Sequence, residues 1–251
     1  YSRTGETLTL RFSAYLLAMF DGVETRRYYD DMAGVFCDMA ATRIGRMACG
    51  VEAAADIRLS YRWSLSFAAS AGRYKFIRNP RITVISDVDN SVVDARAVSH
   101  LNGCTPGGAP QLTACAELGY FGPKGWGFKT SAGYAGARYV EPSLLRRTER
   151  IARQGGTTWE MFDAFTRQQR LGDAFTLDAA LFKTFWFDRS RLTASLILRN
   201  LLGDGDTVYS AYESQRVRRI RSGDTLCYAP HATRLTYAYP RSFYLTVSYR
   251  F

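Results

Sequence analysis

Four arginines, Arg216, Arg218, Arg219 and Arg221, fall within six residues of one another. A guanidinium offers a fork of N–H donors that matches a carboxylate or a phosphate. Two readings stand: an anion-binding cluster, or the solvated flank of a loop. Other chemistry is sparse. His100 and His231 are the only histidines, and neither has a partner at metal-ligand spacing, so both read as surface residues. Asp87-Val88-Asp89-Asn90-Ser91 and Asp204-Gly205-Asp206 carry oxygen ligands at calcium-like spacing but lack the full loop pattern, and they read as acidic turns. There is no G-x-S-x-G and no phosphate-binding glycine loop. No nucleophile–base pair or metal cluster is visible, so the expectation is a protein that is not an enzyme and needs no cofactor.

The five cysteines are Cys37, Cys49, Cys104, Cys115 and Cys227. An odd number leaves at least one unpaired, and the absence of C-x-x-C removes the zinc and thioredoxin readings. Cys37, Cys104 and Cys227 fall in expected loops and could pair in an oxidising compartment. Cys49 and Cys115 fall in expected strands and read as small residues. The net charge of +10, from 33 basic and 23 acidic side chains, favours anionic partners. Nucleic acid is set aside, because the arginines are scattered and no nucleic-acid-binding module accompanies them.

The elements that must position these residues are strands. In the last segment Phe243, Leu245, Val247, Tyr249 and Phe251 form one stripe, and Tyr244, Thr246, Ser248 and Arg250 form the other. Strict period two means a strand with one apolar and one polar face. The same alternation recurs over Thr7–Phe20, Met47–Ser60, Trp63–Lys75, Gln111–Phe121, Trp126–Arg138, Phe175–Phe187 and Arg191–Leu201, which gives eight strands with the last. Each is at least about the 9–11 residues that a tilted membrane-spanning strand needs. No run of eighteen apolar residues exists, and the mean hydropathy is only -0.20, which suits apolar residues confined to alternate positions.

Connection lengths alternate as well. Tyr61-Arg62, Gly122–Gly125 and Asp188–Ser190 are tight; Asp21–Arg46, Phe76–Pro110, Tyr139–Ala174 and Leu202–Pro240 are long. Outer-membrane barrels put short turns in the periplasm and long loops outside. The expected fold is therefore an all-β, transmembrane antiparallel β-barrel. Leu8, Phe12, Leu196, Leu245 and Val247 are expected to face lipid, and Arg11, Arg199 and Arg250 the lumen or a rim. In the third long connection, Thr158 caps a short helix whose Trp159, Phe162 and Phe165 share a face and read as packing onto the barrel rim. Loops outside such a barrel meet lipopolysaccharide, which gives Arg216, Arg218, Arg219 and Arg221 a phosphate partner.

A further set of residues carries a resemblance. Gly103-Cys104-Thr105-Pro106-Gly107-Gly108-Ala109-Pro110-Gln111 leads into a strand, and Gly122-Pro123-Lys124-Gly125-Trp126 opens the next. Ala137-Arg138-Tyr139-Val140 and Arg146-Arg147-Thr148 follow, then Ala174-Phe175-Thr176-Leu177-Asp178 and Arg199-Asn200-Leu201-Leu202-Gly203-Asp204. Their order, with the terminal Phe251, resembles the C-terminal barrel region of TonB-dependent receptors, especially Bacteroidetes-type ones. The resemblance implies a barrel of about 22 strands, closed by an N-terminal plug, that imports a scarce ligand using energy relayed by TonB. Residues 1–251 would be the C-terminal part of that barrel domain, with the plug, the TonB-contacting segment and the first strands lying before Tyr1. Two other functions remain open: a receptor-like barrel serving as a structural subunit of a larger outer-membrane complex or holding a surface lipoprotein, or a complete eight-stranded barrel acting as adhesin or anchor.

The resemblance also implies that the aromatic terminal strand, Phe243 to Phe251, is read by the barrel-assembly machinery. An unfolded alternating strand offers an unpaired edge and a row of aromatic rings, a good substrate for strand addition. Deleting Phe251 should lower the amount of assembled protein in the outer membrane far more than it lowers the unfolding temperature of barrels already assembled. Normal surface levels after the deletion would reduce Phe251 to an ordinary aromatic of the wall.

Overall fold

The computed structural model describes residues 1–153, 157–203 and 205–251. Its strands are β1 (Ser2–Thr4), β2 (Leu8–Asp30), β3 (Val35–Arg58), β4 (Trp63–Phe76), β5 (Arg81–Ser86), β6 (Val92–Val98), β7 (Leu112–Phe121) and β8 (Trp126–Gly136). There follow β9 (Arg138–Tyr139), the short helices α1 (Glu149–Ala152) and α2 (Trp159–Thr166), β10 (Arg170–Leu171), β11 (Ala174–Trp186) and β12 (Arg191–Arg199). The last are β13 (Val208–Tyr212), β14 (Val217–Ser222), β15 (Thr225–Pro230), β16 (Arg234–Tyr237) and β17 (Ser242–Arg250).

One antiparallel meander carries the molecule, in the order β1-β2-β3-β4-β7-β8-β11-β12-β17. All eight expected strands lie in it, and each pairs with its neighbour in sequence among those eight. Hairpin pairing fixes parity. Leu10 sits opposite Ala55, Ala55 opposite Phe67, Phe67 opposite Ala116 and Ala116 opposite Ala132. Leu181 likewise aligns with Leu196, and Leu196 with Leu245. The apolar stripes of successive strands thus merge into one face, and Thr9, Asp56, Ser66, Glu117, Ser131 and Asp178 fall into one row on the other.

The hydrophobic core is not on this wall. Among the described residues, every buried apolar side chain lies at the end where the long connections emerge; Cys37, Met39, Ile44, Phe76, Ile82, Val84, Leu101 and Leu144 are examples. The wall exposes apolar residues instead, with Leu16 at 74%, Leu245 at 71% and Phe12 at 50%. No second sheet packs on either face among the described residues, so the fold is not a sandwich. No described helix is long and apolar enough to cross a membrane.

The long connections carry strands and helices of their own, where the sequence marked only the short helix of the third. The first, Asp21–Arg46, is the continuation of β2 and β3 as a hairpin, closed by a turn at residues 31–34. Its buried Cys37, Met39 and Ala41 alternate with Asp38 and Ala40, the same period-two signal as in the wall. Two register shifts around Gly22, with Asp21 and Arg43 in the left-handed region (φ 58 and 59), bend the hairpin where the wall ends. At that level β3 changes partner, from β4 over Arg46–Arg58 to β5 over Cys37–Thr42. The second connection holds the β5–β6 hairpin, the third holds α1 and α2, and the fourth holds β13 to β16. Together they form a cap over the wall's open end.

At the other end the turns are as tight as expected. Gly125, in the β7–β8 turn, has φ +77, and a Cβ there would collide with the Thr184 carbonyl oxygen and the Trp186 ring. Gly125→Ala should therefore lower the denaturant midpoint at unchanged m-value, by about 1–3 kcal/mol of stability, through backbone strain. An unchanged midpoint would mean that the turn relaxes around the methyl group.

Candidate functional site

Two regions bring polar groups together. The first is the polar face of the wall. Arg11 pairs with Asp56, which also accepts from Ser66 Oγ at 2.8 Å. Ser13 Oγ donates to Glu52 at 3.0 Å, Lys129 Nζ to Glu117 at 2.8 Å, and the Tyr15 and Tyr74 hydroxyls meet at 2.6 Å. Between the pairs stand Ala and Ser, which open a concavity of about 700 Å3 lined by Arg11, Glu52, Asp56, Ser66, Thr113 and Glu117, with alanines, Phe12 and Phe67 beside them. Sequence reasoning put Arg11 on this stripe. Arg199 lies near the cap with its guanidinium 5.6 Å from the centre of the Tyr244 ring, and Arg250 lies at the turn end opposite Arg191. All three stand in polar or terminal positions.

The opposite face ends in aromatic rows. At the turn end Trp63, Tyr120 and Phe128 form a contact group, with ring centres 4.7 to 5.6 Å apart. Beside them Lys183 lies on the same apolar face but bends its ammonium over the Trp126 ring at 4.8 Å and donates to the Lys124 carbonyl at 2.5 Å. At the cap end Tyr134 and Phe175 meet at 4.9 Å. Phe243, Leu245, Val247 and Tyr249 continue the apolar face along β17, and Phe251 follows at its end.

The second region is the cap, where arginine–carboxylate pairs knit the four connections together. Arg147 is wholly buried and faces Glu213, 4% exposed, in a two-pronged pair; Nη1 reaches Oε2 and Nη2 reaches Oε1 at 2.8 Å. Arg147 Nη2 also donates to the Thr166 carbonyl at 3.1 Å, and the Ser143 amide donates to Glu213 at 2.8 Å. The Arg147 carbonyl accepts from the His100 amide at 2.8 Å. One residue thus ties the second connection through its carbonyl and the third and fourth through its side chain. The first hairpin is held by two further pairs: Asp30 to Arg150, and Asp31 to Arg216 at 2.6 Å. Arg27 of the hairpin pairs with Asp87 of the second connection.

Burial alone would push the Asp30 carboxyl up. Arg150, the Ala33 amide and the Tyr28 hydroxyl together outweigh it and hold Asp30 below the ordinary carboxylate value. The Glu141 carboxyl is pushed up by burial; the Gly107 amide hydrogen bond opposes that shift without reversing it. Gly107 packs tightly there, since a Cβ would lie 2.5 Å from Glu141 Cα. Nearby Gln168 clamps Thr105, accepting from its amide at 2.8 Å and donating to its carbonyl at 2.5 Å. The Gly103–Gln111 segment is thereby fixed beneath the cap.

The arginine cluster divides. Arg216 binds Asp31 and lies 5.0 Å over the Tyr29 ring, while Arg219 donates to the Asp31 carbonyl at 2.9 Å. Both bind within the protein; Arg218 and Arg221 project outward, Arg221 4.0 Å from Asp224. The helix over Trp159–Thr166 forms, with Thr158 Oγ1 accepting from the Met161 amide at 3.2 Å. Its Phe165 is buried, Phe162 touches the His100 ring at 5.9 Å, and Trp159 is left 79% exposed, so the aromatic face packs only in part. Cys37 and Cys104 are both thiols, Cys37 in the cap core and Cys104 packed against it. Asp89 accepts from the Ser91 amide and hydroxyl as an acidic turn, and Asp204 lies outside the described residues. Sequence reasoning noticed Arg146-Arg147-Thr148 without giving it a role. Its partner Glu213 lies 66 residues away, and nothing local marks the pair.

No protein-family model and no curated protein matches the chain. Among solved structures it is similar to a chain of the FpvAI–pyocin S2 complex, at 11% identity and a TM-score of 0.44, over 98% of this chain and 32% of that one.

Removing one partner of a buried pair strands the other charge and costs about 3–5 kcal/mol. Glu213→Gln should therefore loosen the third and fourth connections, raising amide exchange and proteolysis in residues 139–153 and 205–240 while leaving β11 and β12 protected. Uniform loss of protection would show that cap and wall unfold together. The Asp30 shift adds a pH effect. A depressed folded value means stability present above the ordinary aspartate value, roughly pH 4, and lost as pH falls through the folded value. Wild-type cap protection should drop in that acid window, and Asp30→Asn should start lower and show less of the drop.

Proposed function

We propose that this chain is part of the wall and surface cap of an outer-membrane β-barrel that works as a TonB-dependent receptor, importing a scarce ligand. The observation that carries the reading is the inverted polarity of the fold. A wall exposed on both faces, with its packed core displaced to one end, is unstable in water. A contiguous apolar face needs a cover, and lipid supplies one. The spanning segments are the wall portions of the strands, such as Leu8–Phe20 and Ser242–Arg250. The aromatic rows then mark the two interfaces, Lys183 snorkels to the turn-side interface, and the polar concavity faces the lumen. The cap lies outside the cell, with Arg218 and Arg221 positioned for lipopolysaccharide phosphates.

The sheet runs from β1 to β17, and among the described residues no ladder joins those two edges. Unpaired backbone in lipid costs several kcal/mol per group. This favours a section of a larger barrel, completed by further strands, over a closed eight-stranded anchor. TonB would act through a part outside residues 1–251. The interlocked cap also supports a second reading, a scaffold subunit holding a surface lipoprotein or larger complex, since fixed loops suit a permanent interface.

Two measurements test these readings. Spin labels placed at Leu245 and Thr246 should report lipid and water respectively; the reverse pattern would overturn the membrane assignment. A deletion strain should lose growth on one limiting solute and regain it with the intact gene but not with a TonB-uncoupled one. Growth unaffected across limiting solutes, with loss of a surface partner from the membrane, would select the scaffold.

A further inference from the structure

Three buried arginines sit in the cap, and their charges are handled differently. Arg147 is neutralised by Glu213. Arg138 directs its donors at the carbonyls of Gly172, Val208 and Tyr209. Arg146 has neither solution. It is only 6% exposed and no hydrogen bond or ion pair reaches its guanidinium among the described residues; its Nε, like that of Arg147, is buried without a partner, but unlike Arg147 its terminal nitrogens have no carboxylate. The Phe165 ring lies 5.7 Å from its Cζ. A ring face steadies a cation but offers no acceptor for its N–H groups. Glu213 is the acid whose field reaches Arg146, and it already accepts from both terminal nitrogens of Arg147 and from the Ser143 amide. Two guanidinium groups thus share one carboxylate, leaving a buried positive charge. Arginine does not shed its proton in proteins, so that charge persists. A buried charge is ordinarily paired.

We propose that Arg146 anchors an oxyanion site in the cap, between the 143–148 turn and α2, that takes the carboxylate or phosphate group of a small solute. A forked guanidinium donates in parallel to two oxygens, so the site selects an oxyanion over chloride. The neighbouring amides are already committed: Arg146 N to Ser143 Oγ at 3.2 Å and Ser143 N to Glu213. Recognition therefore rests on the Arg146 side chain itself. In the receptor reading the solute would be the ligand or a part of it, but the site is defined by the cap alone.

The test is thermal unfolding of the full-length protein in detergent micelles, with inorganic phosphate or acetate titrated at constant ionic strength made up with chloride. The wild-type midpoint should rise and follow a binding curve for at least one of the two anions. Loss of charge-assisted hydrogen bonds should weaken that binding roughly tenfold or more in Arg146→Met. Arg146→Lys, which keeps the charge without the fork, should bind in between, and Arg189→Met, in the exposed 188–190 turn at the far end of the wall, should behave as wild type. In chloride alone Arg146→Met should unfold no lower than wild type, because it removes an unpaired buried charge. A midpoint well below wild type in chloride would make Arg146 a structural cation and overturn the site. So would an equal response to anion in wild type and Arg146→Met, or no response in either. The readout is binding, so failed uptake with saturable anion binding would refute the receptor reading alone.

Discussion

The cap depends on one ion pair. Arg147 and Glu213 lie at its centre, and around them the second, third and fourth connections meet. A buried pair of this kind adds little net stability over an apolar pair of equal volume. What it adds is direction: in this arrangement both nitrogens, both oxygens, the Thr166 carbonyl and the Ser143 amide are satisfied together. The pairs Asp30–Arg150 and Asp31–Arg216 then attach the first hairpin to that arrangement. The +10 charge looked like a property of the surface, yet several arginines face inward as ties between distant segments.

The wall was legible in the sequence because its information is local. Parity repeats every two residues, and Tyr61-Arg62, Gly122–Gly125 and Asp188–Ser190 show where each hairpin turns. The first long connection was missed although Cys37, Met39 and Ala41 carry the same signal, because the bulge at Gly22 shifts the phase and the polar run around Arg26 and Arg27 masks it. The cap was not legible. Its deciding contacts join residues far apart in sequence, 66 positions in Arg147–Glu213 and 186 in Asp31–Val217, and arginine and glutamate at such distances look like any solvated loop. Arg146 shows the same limit, since its burial is invisible until α2 and the 143–148 turn are brought together.

Core and wall answer to different solvents. In the cap, apolar side chains leave water by packing on one another, as in any globular domain. In the wall they project outward from a single layer of strands, and the polar groups line a concavity. The two regions share β2 and β3, which run through both.

The place where β3 leaves β4 for β5 has a consequence for how such a chain tolerates change. A residue inserted within the wall flips every side chain beyond it to the opposite face. The bulge at Gly22, with the left-handed residues Asp21 and Arg43, already absorbs such a slip. Each strand takes up one extra residue there, and the two shifts cancel, so β2 and β3 pair above the bulge on the register they keep below it. A residue added on the cap side of the bulge should therefore leave the parity of the wall below unchanged. The bulge works as a joint at which a slip in one strand is taken up before it reaches the wall.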